Sequence, residues 1–157
     1  LKWRTLCAGA TTFGIEPELA LAVLWQECGS DQWAMRYEVA WRYFYNLKRK
    51  VALYEKDKRV EINRTIAYKI LGATEFHAQS TSFGLFQVMG AVARERGLTG
   101  WLTRLCDPET GMQIGLMHLS RKIKQGGGDA REGLKLYNGN YSYADEVLAK
   151  FKELRGV

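Results

Sequence analysis

Between Pro17 and Gly29 the chain reads PELALAVLWQECG, a helical stretch without a polar face until its last turn. Leu19, Ala20, Leu21, Ala22, Val23, Leu24 and Trp25 turn apolar surface in every direction, an arrangement that the interior of a helical core satisfies. Pro17 suits the first helical position, Glu18 the positive end of the dipole, and Gly29 a left-handed stop. Other elements must wrap such a helix, and 157 residues are enough to do so in a single domain, residues 1–157. Glu27 then stands in the last turn of a buried helix. Desolvation and the negative end of the dipole both disfavour its charged form and raise its pKa, as a general acid near neutrality requires. A solvent-facing glutamate at a frayed helix end fits the same letters, and the rest of the chain has to decide.

The remaining sequence reads as helix after helix. A first helix is expected near residues 1–12, with a turn at Gly14. Trp33 to Lys50, with Tyr37, Trp41, Phe44 and Tyr45, reads as an aromatic-rich helical stretch. Ile62, Ile66, Ile70 and Leu71 recur near helical spacing and stop at Gly72. Ser82 to Arg96 reads as a tight turn entering a helix that closes at Gly97. Asp107-Pro108-Glu109 starts another that runs to about Gln125, where three glycines break it. Asp129 with Glu132, and Ser142 with Asp145, resemble capping boxes for two last helices. No alternating run supports a substantial sheet, so the expected class is all-α, or helix-dominated.

Several chemistries are poorly served by these residues. Cys7, Cys28 and Cys106 are odd in number and lack CxxC spacing, against both a disulfide framework and a zinc site; three free thiols are expected. His77 and His118 have no partner at metal-ligand spacing, and no glycine-rich phosphate cradle or G-x-S-x-G elbow occurs. Neither metal nor cofactor is expected. The net charge of +6 favours anionic partners. Its basic clusters, Lys48–Lys50, Lys56–Arg59 and Arg121, Lys122 and Lys124, are interleaved with acids and read as solvated faces, and no nucleic-acid-binding signature accompanies them. Bacterial cell wall is another polyanion. The longest apolar run, Leu19 to Trp25, is far short of a membrane span. No apolar signal-peptide region precedes it, and the absence of an initiator Met suggests a processed or excised piece.

Two stretches remain, SFGLFQVM from Ser82 to Met89 and LYNGN from Leu136 to Asn140. Gly84 permits close backbone approach, Phe86 and Tyr137 offer rings, and Gln87 and Asn138 offer amides. Rings for a pyranose face and amides for hydroxyls and N-acetyl groups are what a sugar groove needs. Asn138-Gly139 as a plain turn and Phe86 as core are equally consistent with the letters.

Glu27 on an apolar helix, then Gly84-Leu85-Phe86-Gln87, then Leu136-Tyr137-Asn138 before a last helix, resembles the soluble lytic transglycosylase family. Its goose-type lysozyme relatives share the ground plan. That family carries Glu-Ser, Gly-Leu-Met-Gln and Ala-Tyr-Asn in this order, and the resemblance covers residues 14–150. It departs at Cys28 for Ser and Phe86 for Met, and the segment 31–76 forms a helical insertion between the acid and the GLFQ stretch. The wording around Ala73 to Phe76 is most similar to bacteriophage members.

The resemblance implies a lysozyme-like α fold and an enzyme of the bacterial cell wall, released into the host or carried on the virion. It implies cleavage of the N-acetylmuramoyl-β-1,4-N-acetylglucosamine bond in peptidoglycan, leaving a 1,6-anhydromuramoyl end, with Glu27 as the single acid and base. Ser82, Gly84, Phe86, Gln87, Tyr137 and Asn138 are then the substrate-binding candidates. A hydrolytic muramidase is the alternative. It needs a second carboxylate, with Glu75 or Glu38 the candidates, because Met89 occupies the place where the lysozyme relatives hold an acid. Peptidoglycan strands are the expected partner of a monomer, with neither nucleic acid nor membrane insertion. A wall-binding module without turnover and a nucleic-acid-binding helical domain are the further alternatives.

Overall fold

The computed structural model describes residues 2–55, 60, 61 and 63–156. The apolar stretch forms helix α2 (Pro17–Cys28), after α1 (Lys2–Cys7) and a 3-10 turn (Ala8–Phe13). Gly29 closes α2 in the left-handed conformation, with its N–H on the Trp25 carbonyl. Leu19 to Leu24 are at most 5% exposed, because α1 and the C-terminal helix α8 (Tyr141–Arg155) pack on this helix. Trp25, expected inside, is 51% exposed. It lies where that cover ends, in a hollow with Arg4, Lys150 and Leu154.

The remaining helices run from within the insertion to the C-terminal end of the described chain. They are α3 (Arg64–Leu71), α4 (Ala73–Gln79), α5 (Gly90–Glu95), α6 (Pro108–Gln125) and α7 (Ala130–Asn138), with α8 last. Asp107 caps α6 through the Thr110 N–H, and Asp129 caps α7 through the Glu132 N–H. The α8 cap differs from the expected Ser142–Asp145 box. Asn140 accepts from the Tyr143 N–H at 2.7 Å, while Ser142 bonds Glu146 and Asp145 pairs with Arg131. The cap begins α8 two residues early and puts Tyr143 in its first turn. α6 packs on α7, and Leu116, Leu119, Leu134, Ala144 and Val147 join the core around α2.

The first part of the insertion, Trp33 to Glu61, is where the helical expectation fails, whereas α3 forms where the Ile66, Ile70 and Leu71 pattern stops at Gly72. Instead of a helix, Trp33 to Lys50 carries β1 (Met35–Tyr37) and β2 (Phe44–Asn46), and β3 (Val51–Glu55) and β4 (Val60–Glu61) follow. β2, β3 and β4 form one antiparallel sheet, and β1 pairs with β5 (Thr81–Phe83), which pairs with β6 (Val88–Met89), in another. Aromatic residues suit strands, and the four-residue spacing of Tyr37, Trp41 and Tyr45 fits a helix only by coincidence. A helix would need one common buried face, whereas only Phe44 among these aromatics is buried. It stacks on Phe76 at 5.0 Å in a small second core with Ala67, bordered by Trp41, Leu53 and Leu71. Buried Gln79 fastens the lobe to α4 by bonding both the N–H and the carbonyl of Tyr45, each at 2.8 Å. Ile62 and the basic run Lys56–Arg59 lie outside the described residues.

All three cysteines are free, as expected. No single helix among the described residues is long and apolar enough to cross a membrane, and no group of histidines, cysteines or acids there could hold a metal.

Candidate active site

Glu27 ends α2 facing the first turn of α8. Its Oε1 accepts a 2.6 Å hydrogen bond from the Tyr143 hydroxyl, while Oε2 has no hydrogen-bond partner among the described residues. Burial pushes its pKa up to about 7, against the opposing Tyr143 bond and the positive charge of Arg36. The carboxyl is therefore substantially protonated near neutrality, with one oxygen held and the other unengaged.

Tyr143 was not singled out by the sequence reading. The available signal was Asn140, a capping residue three positions ahead. The cap sets the start of α8, and so the direction in which Tyr143 leaves the helix. Tyr143 stacks on Tyr137 at 6.5 Å with an interplanar angle of 18°. Tyr137, near the end of α7, donates to the Phe86 carbonyl at 2.6 Å. Burial, and then the nearness of Glu27, hold its phenol well above the usual range. Behind it lies His118, 5.3 Å from the Tyr137 ring. Burial, then the charges of Arg96, Lys122 and Arg121, press His118 down to about 3, so it stays neutral.

The GLFQ segment is the turn of the β5–β6 hairpin, and the fold brings it against the end of α2. The Cys28 thiol lies 3.5 Å from the carbonyls of both Leu24 and Leu85, joining the end of α2 to the turn. Gly84 stands at φ 72°, and a Cβ there would sit 2.2 Å from the Leu105 carbonyl oxygen, so only glycine fits. Gln87, at φ 44°, is a non-glycine residue in the left-handed region. Its amide holds it there: Nε2 donates to the Ala34 and Gly84 carbonyls, each at 3.0 Å, and Oε1 accepts from the Ser82 hydroxyl at 2.9 Å.

Among the sequence candidates, Glu27, Tyr137 and the GLFQ turn are thus brought together. Phe86 is not a groove wall. Its ring is 0% exposed and packs over Gly115 of α6, where a Cβ would fall 2.5 Å from the ring. Its contribution is the carbonyl that holds Tyr137. Ser82 is buried, and it and Gln87 spend their polar atoms on each other and on the Ala34, Arg36 and Gly84 carbonyls. Asn138 ends α7 exposed and accepts from the Asn140 amide.

The two further carboxylates have other partners. Both oxygens of Glu75 are taken by Arg94, at 2.7 and 2.9 Å, and Gln79 adds a bond at 2.8 Å. Burial alone would raise its pKa, but these bonds outweigh burial and hold Glu75 below the usual range. Glu38 binds Arg36 Nε at 2.5 Å.

Tyr143→Phe removes the only protein donor to Glu27 shown among the described residues. Because that bond favours the ionised carboxylate, its loss should raise the Glu27 pKa further. The alkaline limb of the activity profile should move to higher pH, with turnover falling on the order of tenfold for one lost hydrogen bond of about 1–2 kcal/mol. An unmoved limb in a full pH-rate profile would place Tyr143 outside the acid's control.

The family model described as "Transglycosylase SLT domain" matches residues 6–154. No curated protein and no solved structure matches the chain.

Proposed function

Because the chain belongs to the family of transglycosylase SLT domains, whose activity is lytic transglycosylation of peptidoglycan, we propose that Glu27 is its single catalytic acid and base. The observation that carries this reading is the position of Glu27: at the end of a buried helix, with a pKa near 7, one oxygen on Tyr143 and the other unengaged. Protonated Glu27 gives its proton to the glycosidic oxygen between N-acetylmuramic acid and N-acetylglucosamine, and the C1–O bond breaks as the N-acetylglucosamine hydroxyl leaves. The substrate's N-acetyl group supports the electron-poor C1. The Glu27 carboxylate then takes the proton of the muramoyl C6 hydroxyl while O6 bonds to C1, closing a 1,6-anhydro ring and restoring the acid. The attacking hydroxyl belongs to the substrate, so high effective molarity replaces an activated water.

Tyr143 orients the acid, and Tyr137 faces the sugar from the same side. Gly84, Phe86, Gln87 and Ser82 keep the hairpin turn in place beside them, and Asn138 stands at the rim. Glu75 in its Arg94 clamp and Glu38 on Arg36 leave neither acid presented as a second catalytic carboxylate, which favours this reaction over a hydrolytic one. A monomeric enzyme of bacteriophage origin, acting on the host wall, completes the proposal; its phage part rests on the wording of Ala73–Phe76.

Mass spectrometry of the digestion products tests the reaction. Muramoyl ends should be lighter by one water than hydrolytic products and should resist borohydride. Fragments that gain two hydrogens on reduction would make the enzyme a muramidase.

A further inference from the structure

β1 carries an arginine, Arg36, that the reaction above does not use. Arg36 is the cross-strand partner of Ser82, so their side chains leave the sheet on the same face. The Ser82 hydroxyl on that face bonds Gln87 in the hairpin turn. The charge of Arg36 is close enough to act on Glu27. Its side chain is 72% exposed, and its Nε is tied to Glu38 at 2.5 Å. That tie restrains the guanidinium and leaves the Nη1 and Nη2 edge free of protein hydrogen bonds among the described residues. A planar edge with two parallel donors matches a carboxylate better than a hydroxyl or an amide. Met35 and Tyr37, its neighbours on the strand, leave by the opposite face, where Tyr37 meets His77 at 5.6 Å and receives a hydrogen bond from Arg64. The face that carries the Ser82–Gln87 bond is therefore marked by the arginine.

Resting on the functional reading above, we propose that Arg36, held by Glu38, is a specificity-determining residue that binds a carboxylate of the muramoyl substrate next to the bond being cleaved. Two sources supply that chemistry. One is the lactyl carboxylate of a glycan stripped of its peptides; the other is a carboxylate of the stem peptide. In both cases the arginine favours glycan that is anionic near the reacting sugar. Glu38, a candidate second carboxylate from the sequence, serves here to orient the cation.

The test compares cleavage of three preparations of glycan strands: peptide-free with the lactyl carboxylate free, the same strands with that carboxylate converted to its methylamide, and peptide-bearing. Wild-type enzyme should cleave at least one carboxylate-bearing preparation about five- to fiftyfold faster than the methylamide. A preference for free-lactyl strands assigns the lactyl source, and a preference for peptide-bearing strands assigns the peptide. Arg36→Gln should bring the ratio between preparations close to one, with Arg36→Lys in between, whatever the change in absolute rate. Lys48→Gln, which removes an exposed charge elsewhere on the insertion, should leave the ratio as in wild type. Equal rates on all strands by wild type, or an unaltered ratio in Arg36→Gln, overturns the assignment while leaving the functional reading in place. Wild-type enzyme that cleaves none of the preparations overturns both.

Discussion

Glu27→Gln should abolish wall lysis, by at least a thousandfold in turnover, while the protein folds and gains stability at alkaline pH. The amide is nearly isosteric and still accepts the Tyr143 hydroxyl. It can neither protonate the leaving oxygen nor take a proton from the C6 hydroxyl, so both halves of the reaction lose their proton carrier. The stability gain follows from linkage. Burial raises the carboxyl from its ordinary 4.5 to about 7 in the folded chain, so the native state binds this proton more tightly than the unfolded one. The corresponding stabilisation is complete below about pH 4.5 and is lost as pH rises through about 7. At about pH 8 the wild-type chain carries a buried charge that costs on the order of 2–3 kcal/mol, and the variant does not. Denaturant unfolding of both proteins should show curves that coincide near pH 4 and separate by about that amount at pH 8. Residual lysis within tenfold of wild type would dismiss Glu27 as the acid. Coincident stabilities at pH 8 would mean that its carboxylate is solvated after all.

Gly84→Ala should be among the most disruptive single methyl additions to this chain. The added carbon meets the Leu105 carbonyl at 2.2 Å, and the backbone at φ 72° is strained for any L side chain. Neither term has a cheap escape. The neighbour is backbone ahead of α6, and the glycine N–H is committed to the Ala34 carbonyl at 2.8 Å. Left-handed strain of about 1–2 kcal/mol plus displacement of packed backbone gives an expected loss on the order of 3–5 kcal/mol. The damage should reach the site, because the same turn carries Gln87, the Phe86 carbonyl that holds Tyr137, and the Leu85 carbonyl against Cys28. Thermal unfolding should show a fall of roughly 6–20 °C, or little soluble protein, with lost activity in what remains. A variant of wild-type stability would mean that the β5–β6 turn can move away from Leu105.

α2 is the clearest case of structure written locally. A run without a polar face, with proline at one end and glycine at the other, has one low-energy destination, and its last-turn acid is buried as a consequence. The starts of α6 and α7 were equally plain at Asp107 and Asp129, because a cap is a contact between residues three apart. The first part of the insertion, Trp33 to Glu61, was not legible in this way. Its aromatics match a helical period, and their strand pairing depends on partners far along the chain: Phe83 opposite Met35, and Gln79 bonded to Tyr45.

The site divides along the same line. Glu27, Tyr137 and the GLFQ turn could be named from their residue types and neighbours. Whether the Phe86 ring faced a groove or the core was decided by Gly115, on a helix with no sequence relation to it. Tyr143 became the partner of the acid only because α8 packs on α2, across 116 positions of chain. Arg36 shares a sheet face with Ser82 and the GLFQ turn only because β1 pairs with β5. The sequence by itself determined which helix is buried and which acid it carries, since burial of a uniformly apolar helix and its end signals are local free energies. The tertiary structure alone decided which groups surround that acid, since hydrogen bonds and charges across long separations exist only after packing has brought their owners within a few ångströms.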